Sequence, residues 1–260
     1  MLRTFFPLLC LSSALFGFYV GNPAAPVVMG SGFFSGRYLV KGASGYLYDY
    51  STIKKYHAAG KEALFNPNSV FKEFGIHSQM GNLSMMLLER LEIFGYVGGS
   101  KEQTQGKPHP AAMTSFKGHY QFSWATGSKA VLLNCGPFSL GGSFSYFGIP
   151  SSPKSYFRYL NRINLPINFG KQNTSLSEWQ INGGLSGRFG FLSPYIGGTW
   201  LYSKLHISGT SGIGAIDYEN EDKWGLFFGL TVSVTGKFHI NLERRLYDES
   251  GYSLITSAVF

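Results

Sequence analysis

The residues able to do chemistry in this chain are sparse and scattered. His57, His77, His119, His206 and His239 stand singly, none in a Ser/His/Asp spacing, and no acidic pair stands out. Cys10 and Cys135 are too far apart, and too far from any histidine cluster, to suggest a zinc site. No metal, cofactor or enzymatic activity is therefore expected. Triad members need not be adjacent in sequence, so a serine, a histidine and a carboxylate meeting at one rim of the fold would reopen the question. The titratable residues that do carry a pattern alternate with apolar ones: Arg37, Glu92, His119, Lys129, Glu178, Arg188, Lys223, Lys237, His239, Glu243 and Arg245. On the inward face of a barrel they would line a pore. Bases outnumber acids in this set, and fixed positive charge in a confined passage concentrates anions, so a mild anion preference is expected. The alternative is a plugged lumen, with pairs such as Glu243 with Arg245 or Glu178 with Arg188.

The elements that must position these residues are strands. Counting back from Phe260 in steps of two gives Ala258, Thr256, Leu254 and Tyr252, one face of a β-strand with an aromatic at each end. Trp224, Leu226, Phe228, Leu230, Val232 and Val234 alternate with Lys223, Gly225, Gly229, Thr231 and Ser233. Phe238, Ile240 and Leu242 alternate with His239, Asn241 and Glu243, and Tyr120, Phe122 and Trp124 with His119, Gln121 and Ser123. A first strand is expected near Gly32–Lys41, with Tyr46–Tyr50 as a further candidate. Both faces of Tyr195–His206 are apolar, which leaves its sides unassigned. Tight turns are expected near Glu89-Arg90, Gly136-Pro137, Leu192-Ser193-Pro194 and Gly236. Long loops are expected at Lys101–Phe116, Gly148–Ser175 and Ile207–Asp222, with a short outer turn at Asp248-Glu249-Ser250. Tight turns at one end and long loops at the other describe an all-β transmembrane antiparallel barrel of the outer-membrane type. About 12 strands are expected, in the range 10 to 16, with Phe260 at the periplasmic end. Tyr120, Trp124, Trp179, Trp224, Phe238 and Tyr252 are expected at the membrane interfaces.

Composition agrees. Among 260 residues, 17% are aromatic, 34 are Gly and only 14% are charged, below the roughly 25% of soluble domains. The net charge of +8 is spread without a basic block, so nucleic acid is not an expected partner. Met1-Leu2-Arg3-Thr4 followed by the apolar run Phe5–Val20 reads as a signal peptide over residues 1–17, cut somewhere between 14 and 20. Residues 18–260 are then one barrel domain.

Through Phe122-Ser123-Trp124-Ala125, Lys129–Gly136, Leu140–Phe144, Glu178-Trp179-Gln180, Pro194-Tyr195-Ile196-Gly197 with Trp200, and Glu243–Glu249, the chain resembles the chlamydial major outer membrane protein porins. The leader Gly21-Asn22-Pro23-Ala24 and the segment Leu88–Phe94 fit the same order. This resemblance implies an outer-membrane porin for small hydrophilic solutes and ions, embedded in outer-membrane lipid and forming a homotrimer. Resemblance to outer-membrane proteins in general implies that Phe260 ends the signal read by the barrel-assembly machinery. The chain is shorter than the family's principal porin and lacks its many cysteines, so the disulfide-linked envelope role is not carried over. The competing function is a non-conducting barrel serving as adhesin or envelope structural protein, with Tyr156, Phe157, Arg158, Tyr159 and Arg162 contacting a partner.

Overall fold

The computed structural model describes residues 22–23, 40–53, 55–59, 70–71, 73–87, 90–109, 112–160, 166–208, 215–235, 237–247 and 249–260. Ten strands close a ring: β1 (Val40–Ile53), β4 (Glu73–Leu87), β5 (Leu91–His109), β7 (Gln121–Cys135), β8 (Phe138–Leu160), β9 (Pro166–Gly187), β10 (Leu192–Ile207), β12 (Trp224–Thr235), β13 (Phe238–Leu246) and β14 (Glu249–Val259). Each runs antiparallel to the next. The last meets the first, with Ala43 opposite Val259 and Ile53 opposite Glu249, so the ring has no open edge to leave backbone groups unpaired in lipid. β6 (Ala112–Lys117) continues the wall between β5 and β8 above β7. β11 (Ile216–Asn220) does the same beside β10, and β2 (Tyr56–Ala59) and β3 (Val70–Phe71) pair on from it outside the ring. The ring number lies at the low end of the expected range.

The turns at the end that holds Phe260 are short. Arg90 N–H donates to Leu87 O at 3.2 Å, Gly136 takes φ 61° at the β7–β8 turn, and Gly190 takes φ 64° at the β9–β10 turn. At positive φ a side chain is strained, which is the reason for glycine at both sites. The β9–β10 turn therefore sits a few residues before Leu192-Ser193-Pro194. Two expected loops are strands instead: β5 runs to His109, and β8 and β9 cover most of Gly148–Ser175. Above the membrane both faces of a strand meet water, so pairing continues where apolar alternation stops. The expected strand at Gly32–Lys41 and the signal peptide lie outside the described residues, apart from Val40 and Lys41 in β1.

Alternation sorts the two faces. Outward residues Leu83, Ile93, Leu140, Leu185, Ile196, Leu226, Phe228 and Leu242 are exposed and form an apolar band. Below it stand Phe138 and Phe189, 6.2 Å apart edge to face, with Phe191, Phe238 and Phe260. Above it a second row runs round the barrel: Tyr50 on Tyr252 at 5.4 Å, His77 near Tyr120 at 5.7 Å, Trp124 on Tyr146 at 5.0 Å and Tyr146 on Trp179 at 5.1 Å. From Phe138 to Tyr146 the rise at a tilt of about 40° is about 20 Å along the membrane normal, close to the roughly 25 Å apolar band of such barrels.

Inward positions are small where strands crowd. A Cβ at Gly127 would lie 2.1 Å from Phe144 O and 2.5 Å from the Phe94 ring. Gly127→Ala is expected to destabilise the barrel by about 1–3 kcal/mol, read from its urea midpoint in detergent.

Candidate functional site

The lumen is built from the inward side chains of the ring. At mid-level, side chains from opposite walls meet around one cavity: Asp49 and Ser51 of β1, Ile76 and Ser78 of β4, Phe147 of β8, Glu178 and Gln180 of β9, Leu201 of β10, Arg245 of β13 and Glu249 of β14. These side chains leave a cavity of about 10 Å³, room for about one water molecule. Arg245 is the hub. It binds Asp49 through one guanidinium nitrogen and Glu249 through the other at 2.6 Å, and Ser253 Oγ donates to Asp49 at 2.6 Å. Ser203 Oγ donates to Glu178 at 2.8 Å, and the Tyr56 hydroxyl, folded in from β2, bonds Ser203. Toward the outer end the filling is apolar: Ile53, Phe74, Ile76, Phe147, Ile149, Leu176, Leu205 and Ile207 form one buried cluster with Tyr56 and Tyr218.

Toward the periplasmic end polar pairs span the strands. Tyr195 donates to Asn241 at 2.7 Å, Asn182 to Ser143 at 3.0 Å and Gln180 to Thr199 at 2.8 Å. Lys129 Nζ lies 3.6 Å from Glu92 and 5.8 Å from the Phe94 ring centre. Asn22, from the amino-terminal leader, is buried there and donates to Ser186 at 2.8 Å.

Among the residues read from sequence, Glu92, Lys129, Glu178, His239, Glu243 and Arg245 are buried on the inward face. The others are elsewhere. Arg188 and Lys237 are exposed in periplasmic turns, His119 is exposed just before β7, and Lys223 lies over the outward Tyr202 ring at 5.3 Å. Turn residues break the alternation that placed them inside, because a turn has no two-residue period. Arg37 lies outside the described residues. Asp49, Glu102 and Glu249 were missed, since Tyr46–Tyr50 has aromatics on one face and the ends of β5 and β14 read as loop or turn. Among the described residues the inward balance is therefore acidic: Asp49, Glu92, Glu102, Glu178, Glu243 and Glu249 against Lys129 and Arg245. Tyr120, Trp124, Trp224, Phe238 and Tyr252 are exposed on the outward face, and Trp179 packs there against Tyr146. Phe260 is also exposed, its ring above Gly42 and its N–H donating to Gly42 O at 3.1 Å.

A second concavity lies on the outside of the wall, just above the upper aromatic row. Its volume is about 470 Å³. Gly148, Ser175 and Ser177 form its floor, Trp124 and Tyr146 one side, and Lys204, His206 and Asp217 the other. Lys204 Nζ is 2.8 Å from Asp217, and His206 Nδ1 is 2.6 Å from the other Asp217 oxygen.

No protein-family description matches the chain. Major outer membrane porins of Chlamydia psittaci are similar to it, at 30% identity over 30% of this chain and 26% of the relative, and at 29% over the same shares. The chain thus spans about a quarter of the length of the curated relatives it matches. Among solved structures, the outer membrane protease OmpT of Escherichia coli aligns with TM-score 0.43 and 12% identity over 85% of this chain and 94% of that one. The translocator domain of the autotransporter NalP of Neisseria meningitidis aligns with TM-score 0.43 and 8% identity, over 87% and 89%. The chain is an outer-membrane barrel. The porin relationship is a distant one, and the barrel's outward band and closed ring are what place it in lipid.

Proposed function

We propose that this barrel stands closed in the outer membrane and serves the envelope through its outer end, as a structural or adhesive protein. The observation that carries this reading is the mid-level cross-section, where side chains from opposite walls leave about 10 Å³. A hydrated ion is several times larger than one water and needs a continuous wet path. The buried Arg245 group and the apolar cluster above it oppose such a path from both sides, one by paired charges and the other by dewetting.

The likeness to porins favours a second reading, passive diffusion of small hydrophilic solutes and ions through a lumen that opens. Its inward charge would then favour cations, because among the described residues six buried acids face two buried bases. The anion preference expected from sequence has no support in this arrangement.

Single-channel recording of the refolded chain in a planar bilayer tests both. No conductance from a heat-modifiable, folded barrel is the expected result. Discrete open steps would overturn the closed reading, and their reversal potential in a salt gradient would then report the selectivity.

A further inference from the structure

The outer groove brings together three residue types that the order of the sequence keeps apart. Ser175 on β9 is the direct cross-strand partner of His206 on β10, and His206 is the direct partner of Asp217 on β11. All three line the same outward groove. His206 Nδ1 is held by Asp217 at 2.6 Å, which assigns the Nδ1–H tautomer and leaves the Nε2 lone pair as the base. Burial pushes the Asp217 carboxyl up, but hydrogen bonds from Lys204 and His206 and their charges outweigh it and hold Asp217 below the usual range. It is therefore ionised and able to steady an imidazolium.

We propose that this groove is an esterase site in which Ser175 is the nucleophile, His206 the general base and Asp217 its orienting carboxylate, acting on ester-linked acyl chains of outer-leaflet lipid.

Directly opposed residues of an antiparallel pair have Cβ atoms about 4.5–5.5 Å apart, so a χ1 rotation brings the Ser175 hydroxyl to the imidazole. Position supplies the substrate class. The groove lies immediately above the Tyr146 and Trp179 row that marks the outer interface, the depth at which acyl chains end and ester carbonyls begin. Trp124 and Tyr146 offer the wall an acyl chain needs, and Lys204 is the cation beside the reacting carbonyl. In the first step Ser175 Oγ bonds to the carbonyl carbon while its proton passes to His206 Nε2. The ester C–O bond then breaks, and the alcohol leaves with that proton. Water, deprotonated by His206, cleaves the acyl-serine to give the free acid, so the sum is ester plus water to acid plus alcohol, without oxidant or cofactor. An ion pair that only pins β11 to β10 would explain Lys204, His206 and Asp217 but would not make Ser175 reactive.

The full chain, refolded in detergent, is treated with a fluorophosphonate probe and assayed with p-nitrophenyl octanoate. Labelling at Ser175 and ester turnover above the detergent blank are expected. Ser175→Ala and His206→Ala are expected to abolish labelling and lower turnover about 10²–10⁴-fold, while Ser250→Ala, on β14 and away from the groove, retains both. Heat-modifiable migration on a gel shows that each variant is folded. An unlabelled and inactive wild-type barrel overturns the proposal, as does labelling that survives in Ser175→Ala. The groove is outside the wall, so neither outcome bears on whether the lumen conducts.

Discussion

Arg245→Ala is expected to lower the stability of the barrel by about 3–5 kcal/mol, the range for removing one partner of a buried ion pair. Arg245 is 3% exposed and neutralises Asp49 and Glu249, which are equally buried. The charges sit on three strands at the β13–β14–β1 seam, so losing the guanidinium leaves two carboxylates facing each other where the ring closes. Urea unfolding in detergent, followed by tryptophan fluorescence, reads the effect. A loss below about 1 kcal/mol would mean that water reaches the seam and screens the acids. The triple change Arg245→Met, Asp49→Leu and Glu249→Leu should recover much of the loss, because well-packed apolar groups often replace a buried ion cluster without penalty.

Phe147→Ala is expected to have an effect of similar size for a different reason. Phe147 is fully buried and projects from β8 into the same cross-section, opposite Asp49 and Arg245. Truncating a buried phenylalanine costs about 3–5 kcal/mol through lost burial and the cavity left behind. That cavity lies in the lumen of a membrane barrel, so it should fill with water. Pairing the change with Leu201→Ala, which clears the neighbouring wall residue, should turn a silent barrel into one with measurable single-channel steps. If the double variant is folded and still silent, the closure lies higher, at the cluster of Phe74, Ile149 and Leu176.

Much of the wall could be read before the fold was known. Trp224, Leu226 and Phe228 against Gly225 and Phe238, Ile240 and Leu242 against His239 and Asn241 announce strands, because lipid on one side and packed polar groups on the other impose a period of two. The short turns at Gly136 and Arg90 and the periplasmic placement of Phe260 follow from the same logic. Tyr195–His206 resisted it. Its inward residues Leu201, Leu205 and Ile207 join an apolar plug, so both faces are apolar for different reasons. The charges deceived for a related cause. Arg188 and Lys237 continue a strand's rhythm into a turn, whereas Asp49 hides between two tyrosines. The Ser175, His206 and Asp217 alignment could not be seen at all, because it depends on the register of β9, β10 and β11 rather than on spacing along one strand.

The strands are of very unequal length. β8 and β9 have 23 and 22 residues, whereas β13 and β14 have 9 and 11. The outer rim is therefore cut obliquely. On the β13–β14 side, β13 ends at Leu246 and β14 begins at Glu249, near the level of the lipid headgroups, and the sugar layer of the outer leaflet would cover them. The β8–β9 hairpin rises about a dozen residues further, a reach of about 40 Å along the strand at 3.3 Å per residue. Seen from outside an intact cell, the barrel presents one raised wall, in which β5 and β6 stand beside β8 and β9. Antibodies, phages and surface proteases that reach past the sugar coat would meet that wall first, and immune pressure on the sequence should concentrate there.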